Sequence, residues 1–397
     1  MSETDTLPDD QQEDLDDVDG AAGIPYQAAI TLSDWTVETI IQQIRKGNIK
    51  LTPSFQRREA WRLPRKSAYI ESLIMAIPVP QIVLAERKDK KGSFIVIDGK
   101  QRLLTLRQFS AADADPDYKN FKLEGLGERK DLNGLSYADL QNDLLWEDDR
   151  DALDNATVRT VVIRNWKDEN FLYTVFLRLN TGSVQLSPQE LRQALHPGPF
   201  LAFIDKYSSE SNQLHQVMGI AGPDGRMRDA ELVIRYVAFR NFMSSYGGSM
   251  KSILDKTSKF YNDSWMAEKP TIDQQIQNFE AAVDLAIAIF GDKEAFRKWN
   301  GVRFEAALNR AVFDVMILYF SNEKIAKAAA AKSGEILVAF KTLCENSEDF
   351  RTAIAGTTKS INSIFTRLSL WAGALSDALG EEVPLPKLED NRIILAL

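Results

Sequence analysis

The stretch "FIVIDGKQRLLTLRQF", residues 94–109, is where the fold is decided. Phe94 to Ile97 are apolar on successive positions and Asp98 closes the run, which is the pattern of a short strand covered on both faces. From Lys100 the pattern turns at once into a helix. The junction packs Asp98, Gly99, Lys100, Gln101 and Arg102 together, and it can be read in two ways. As an ordinary strand-to-helix turn, Asp98 is the helix N-cap, with Lys100 and Arg102 on a solvated rim. As an anion-binding corner, the helix start offers unpaired N–H groups and the positive end of its dipole. Gly99 then lets the backbone approach closely, and Lys100 and Arg102 neutralise anionic oxygens. Asp98 fits beside such an anion only if it holds Mg2+, orients a water or pairs with an Arg.

Working outward, "QIVLAERK" (81–88) and "SFIVID" (93–98) flank "DKKG" as a hairpin. A third strand is expected at "TVRTVVIR", 157–164, after a polar, mobile-looking segment at 111–156. Upstream, Val37, Ile40, Ile41 and Ile44 predict a helix that starts after Thr36 and closes at Gly47. A second helix is expected over Arg65–Met75, with Ile70, Leu73 and Ile74 inward, ended by "IPVP" at 77–80. Beyond Asp168 the signals become helical. "SPQELRQAL" carries a capping box, with Ser187 as N-cap, Pro188 first and Glu190 third. From residue 226 to the end only helical signals are read, and no repeat of fixed period is found. The expectation is an α+β chain: an acidic tail over 1–25, a small mixed sheet with flanking helices over 26–200, and an all-helical domain over 201–397.

The chain has 397 residues and a net charge of −9, but nine acids and no base lie in its first twenty residues. Without them 48 acids face 48 bases, so the body is neutral and an anionic ligand is not excluded. The acidic start is the opposite of a secretory n-region, and no apolar run approaches the roughly 18 residues of a membrane span. A single cysteine, Cys344, rules out an intrachain disulfide, and a reducing cytoplasm is expected. No G-x-x-x-x-G-K-S/T and no G-x-G-x-x-G is present. Two histidines, His196 and His215, are too few for a His-metal nuclease, and one cysteine is too few for a thiolate zinc site.

Two further segments concentrate polar groups. "TPSFQRREAWRLPRK" (52–66) carries Arg57, Arg58, Arg62, Arg65 and Lys66 with Phe55 and Trp61 interleaved. It reads either as a basic surface loop with two core anchors or as a nucleic-acid contact, guanidinium forks on phosphates and an aromatic on a base. "FLRLNTGSVQLSPQELRQAL" (176–195) is a helix, a turn and a capped helix, long enough to lay the turn Asn180-Thr181-Gly182 against the first corner.

Taken together and in order, "LTPSFQRREAWRLPRKSAYIESLIMAIPVPQIVL", "FIVIDGKQRLLTLRQF" and "VFLRLNTGSVQLSPQELRQAL" resemble the N-terminal domain of GmrSD-type restriction endonucleases, within the ParB and sulfiredoxin-like superfamily. The resemblance covers about 34–200 and continues through "RMRDAELVIRYVAF" and "LNRAVFD". It implies a ParB-like fold whose Asp-Gly-Gln-Gln-Arg motif binds and often hydrolyses a nucleoside triphosphate with Mg2+. That motif corresponds here to Asp98, Gly99, Lys100, Gln101 and Arg102, Lys100 standing in place of its first Gln. Asp98, Gln101 and Arg102 would be catalytic, with Asp98 on the metal. Gln56, Arg57, Gly99, Lys100, Arg102, Asn180, Thr181 and Gly182 would hold the nucleotide.

The C-terminal His-Asn-His nuclease of longer relatives is not recognisable, so any cutting falls to a partner chain. The expected function is a Mg2+-dependent nucleoside triphosphatase that regulates a restriction or antiphage system, with Arg58, Arg62, Arg65 and Lys66 toward DNA. Alternatives are a non-catalytic, nucleotide-switched DNA-binding module and a partner scaffold. Self-association and the identity of the base stay open.

Overall fold

The computed structural model describes residues 28–51, 61–179, 187–355 and 359–397. The chain divides into two compact units between Leu195 and His196, five residues before the boundary expected from the sequence.

The first unit is built on a four-stranded mixed sheet. Its elements run β1 (Ala29–Thr36), α1 (Val37–Arg45), α2 (Leu63–Ile74), β2 (Ile82–Glu86), β3 (Phe94–Asp98), α3 (Lys100–Phe109), α4 (Tyr137–Asn142), α5 (Glu147–Asn155), β4 (Thr157–Arg164), α6 (Glu169–Leu179) and α7 (Pro188–Leu195). Strand order is β1-β4-β2-β3; β2 pairs antiparallel with β3 and parallel with β4, and β1 pairs antiparallel with β4. The first four residues of both β2 and β3 are buried, as their unbroken apolar runs require. α1 turns Val37, Ile40, Ile41 and Ile44 into the core, and the Thr36 hydroxyl accepts the Thr39 N–H at 3.1 Å as its cap. α2 begins two residues earlier than expected, because Pro64 sits in its first turn, where a missing N–H costs nothing.

Two expectations are corrected here. The segment 111–156 is not mobile-looking at all: it carries α4 and α5 and buries Leu123, Leu126, Leu132, Leu140 and Leu153. Its order comes from polar side chains of α2. Ser67 Oγ accepts the Glu124 N–H at 3.0 Å, and Glu71 Oε1 accepts those of Glu128 and Arg129 at 2.9 and 2.7 Å. β1 was not expected as a strand, since Ile30 and Leu32 leave their side chains exposed and its pairing comes from β4, well over a hundred residues on.

The second unit comprises α8 (Pro199–Glu210), α9 (Asn212–Met218), α10 (Arg228–Phe242), α11 (Met250–Asp263), α12 (Trp265–Phe290), α13 (Arg310–Phe320), α14 (Glu323–Ala331), α15 (Ser333–Asn346), α16 (Glu348–Ala353) and α17 (Ile361–Leu379). α10 and α13 are buried along most of their length. They bring charge into the core, where Arg235 of α10 makes paired hydrogen bonds to Asp314 of α13 at 3.0 and 2.5 Å. Both histidines are buried: His215 Nε2 meets the Ser208 carbonyl at 2.9 Å, and the His196 carbonyl accepts from Asn262 at 2.8 Å. The unit is not helical to its end, because β5 (Lys387–Glu389) and β6 (Arg392–Ile394) form a two-stranded hairpin. Its turn residues Asp390 and Asn391 both have positive φ, the twist a two-residue hairpin loop needs.

Candidate functional site

The strand-to-helix junction owes its shape to a break in the β2–β3 ladder. Val83 pairs with Asp98 and Leu84 with Val96, so Ile97 is an extra residue on β3, a bulge of the kind that re-aims the residues beside it. Gly99 then takes φ +94° and serves as the N-cap of α3 with no side chain capping the helix. A Cβ there would lie 3.0 Å from Ile82 Cγ1 and 3.2 and 3.3 Å from two guanidinium nitrogens of Arg102. Glycine is therefore required both by the backbone and by the neighbours.

Asp98 is not the helix cap of the ordinary-turn reading. Its Oδ2 accepts from Arg102 at 2.8 Å, one turn along α3, while the other oxygen has no hydrogen-bond partner among the described residues. The carboxylate is about one-third exposed, whereas Arg102 is mostly covered. The pairing with an Arg, one of the three roles open to this acid, is thus the one seen. It leaves one carboxylate oxygen for a metal or a water. Arg102 Nε and Gln101 Oε1 are buried with no hydrogen-bond partner among the described residues, whereas buried polar groups in a native interior normally have one, from protein, water or ligand.

Lys100 follows a different course. It is buried, and its ammonium is paired with the equally buried Glu190 of α7. Glu190 is also the third residue of the expected capping box: its Oε2 accepts the Ser187 N–H at 2.7 Å, and its own N–H donates to Ser187 Oγ at 3.1 Å. One carboxylate therefore joins the start of α7 to the first turn of α3. The sequence singled out Glu190 for its cap; its second role had no signal in spacing, since Lys100 is 90 residues away.

Of the basic segment, Arg62 and Arg65 are exposed at the start of α2, and Arg65 lies 4.8 Å over the Trp61 ring. Lys66 is buried, with its ammonium 5.7 Å from the Phe121 ring centre. Gln56, Arg57 and Arg58 lie outside the described residues, as do Asn180, Thr181 and Gly182. Sequence reasoning passed over Tyr69. This residue of α2 packs edge-on against Trp61 at 5.7 Å, and its buried hydroxyl has no hydrogen-bond partner among the described residues. Burial pushes that hydroxyl well above the ordinary phenol range, with Arg102 opposing the rise.

Among the described residues, no group of three or more His, Cys, Asp or Glu is placed to hold a metal by itself. The open oxygen of Asp98 is what this corner offers a divalent cation; Mg2+ characteristically takes one or two carboxylates and fills the rest of its shell from water or phosphate oxygens. No helix among the described residues is long and apolar enough to cross a membrane.

Residues 37–197 match the family described as the GmrSD restriction endonuclease, N-terminal domain. This agrees with the resemblance read from the three motifs. No curated protein and no solved structure matches the chain.

Proposed function

We propose that the first unit binds a nucleoside triphosphate at the β3–α3 junction and hydrolyses it with Mg2+, as the regulatory or sensing component of a DNA restriction system. The observation that carries this reading is the set of unmet groups at one corner: an uncapped α3 start at Gly99, with Arg102 Nε and Gln101 Oε1 buried and without a hydrogen-bond partner among the described residues. An anion with a water beside it would satisfy them together.

In this reading the first N–H groups of α3 and the Arg102 guanidinium hold phosphate oxygens, and Gly99 admits them to the backbone. Gln56, Arg57, Asn180, Thr181 and Gly182 complete the nucleotide contacts. Mg2+, when bound, would neutralise charge on the β- and γ-phosphates. Asp98 presents its open oxygen to the metal or to the attacking water, and Gln101 Oε1 accepts from that water. Hydrolysis joins the water oxygen to the γ-phosphorus, breaks the bond to the β–γ bridging oxygen, and releases phosphate and the diphosphate.

Phosphate release from the four common nucleoside triphosphates with Mg2+, with and without DNA, tests the proposal. Asp98→Ala should lower turnover by a factor of about 10² to 10³. Its melting temperature should fall by a few degrees at most and the fold should persist, since the mostly covered Arg102 loses its ion-pair partner while Asp98 itself is one-third exposed. No turnover by the parent chain on any of the four, or full turnover by the variant, would overturn the enzymatic reading.

The exposed Arg62 and Arg65 favour a DNA contact beside this site, with a separate nuclease as the cutting partner. Nucleotide-dependent DNA binding that weakens steeply with salt supports it; salt-insensitive binding counts against it.

A further inference from the structure

The Tyr69 hydroxyl is a polar group that the nucleotide reading has not used. Tyr69 lies on α2, which packs against α3, and only 6% of its surface is exposed. Trp61 packs edge-on against its ring at 5.7 Å, so the ring is held by aromatic contact rather than by any bond to the hydroxyl. A buried phenol normally finds a hydrogen-bond partner. Among the described residues this one has none, and neither has Arg102 Nε.

Two facts bring these unmet donors to one place. The Arg102 guanidinium is near enough to act electrostatically on the Tyr69 hydroxyl. The Arg102 edge that carries Nε lies against Gly99, within 3.3 Å of where a Cβ would stand, at the uncapped start of α3. Burial keeps the phenol protonated at neutral pH, so it is a donor there. Tyr69 on α2 and Arg102 on the adjoining α3 each hold an unmet donor, and Arg102 borders the uncapped start of α3; one acceptor that carries negative charge would meet both.

We propose that Tyr69 is a further ligand of the bound triphosphate, its hydroxyl donating to a phosphate oxygen alongside Arg102 Nε; this rests on the nucleotide reading above. The residue acts by contact with the polyphosphate, not with the base or sugar.

The test is Tyr69→Phe in the full chain, which keeps the ring and its contact with Trp61. Melting temperatures are measured without ligand, with each nucleoside triphosphate and Mg2+, and with inorganic tripolyphosphate and Mg2+. The expected result is an unliganded melting temperature that holds or rises, because an unmet buried hydroxyl is removed. Affinity for both the nucleotide and tripolyphosphate should weaken by roughly 10- to 100-fold, the range for a hydrogen bond to a charged group.

A fall of several degrees without ligand would mean that the hydroxyl serves the fold, and would overturn the proposal. So would ligand shifts equal to those of the parent, or a loss confined to the nucleotide with tripolyphosphate unaffected. If the parent chain itself shows no shift with any nucleotide, the nucleotide reading fails as a whole. That result is distinct from a parent that binds and a variant that binds equally well.

Discussion

Replacing Glu190 with Gln separates two roles that one carboxylate plays at the start of α7. Gln at the third position of a capping box still reaches back to the N-cap N–H, so the bond now made by Glu190 Oε2 to the Ser187 N–H is kept. What is lost is the negative charge beside the Lys100 ammonium, where both side chains are only 4% exposed. Breaking a buried pair by removing one partner costs about 3–5 kcal/mol. Losing the cap alone, as in Ser187→Ala, costs about 1 kcal/mol. At ~2–4 °C per kcal/mol for a body of this size, the two variants should differ by many degrees. Calorimetry of the full chain reads the loss, and hydrogen exchange at α3 and α7 assigns it to the first unit. Replacing both partners with apolar residues, Lys100→Met with Glu190→Leu, should recover most of it, because the desolvation of both charges disappears with them. If Glu190→Gln costs no more than Ser187→Ala, the pair does not hold α7 to the first turn of α3, and the reasoning fails.

Gly99→Ala should destabilise the first unit by about 1–2 kcal/mol, since its φ of +94° is a left-handed conformation that L-residues resist; urea midpoints equal to those of the parent would refute this. Cys344, buried in α15, has its thiol pushed up to about 11 by burial. The unfolded chain releases that proton first, so the thiol's contribution is fully present below the ordinary thiol value and is lost as pH rises through the folded one. Between about pH 9 and 11 the parent should lose ~2–3 kcal/mol more than Cys344→Ala, and parallel urea midpoints for the two chains across that window would sink the claim.

Much of the first unit can be read from residue order because its signals are local. α1 follows from four isoleucine and valine positions on one stripe, and β2 and β3 from apolar runs with no alternation. β1 escapes the same reasoning because its pairing to β4 is made between residues far apart in sequence. The 111–156 segment misleads for a related reason, its backbone being held by Ser67 and Glu71 of a distant helix. In the second unit, the unbroken helical pattern of 323–343 is divided into α14 and α15 at Lys332, and Asn309 caps α13 so that 304–308 stay outside it. Met250, Ile253, Leu254, Thr257 and Tyr261 lie at helical spacing in α11, and Asp390-Asn391 is a hairpin turn pair.

At the candidate site, the residue types suggested one use of the charges and the structure shows another. Asp98, Lys100 and Arg102 suggested a corner with excess positive charge. The structure instead pairs Asp98 with Arg102 and Lys100 with Glu190, one acid for each base. In the proposed nucleotide reading, a corner balanced in this way would draw an anion less by net charge than by directed donors: the open start of α3, Arg102 Nε and the Tyr69 hydroxyl. Lys100 in place of a neutral Gln then makes physical sense with Glu190 as its counter-charge, since an ammionium so deeply buried is stable only beside a carboxylate. Specificity at such a site depends on where these donors are held, and the Lys100–Glu190 pair fixes α7 against the helix that presents them.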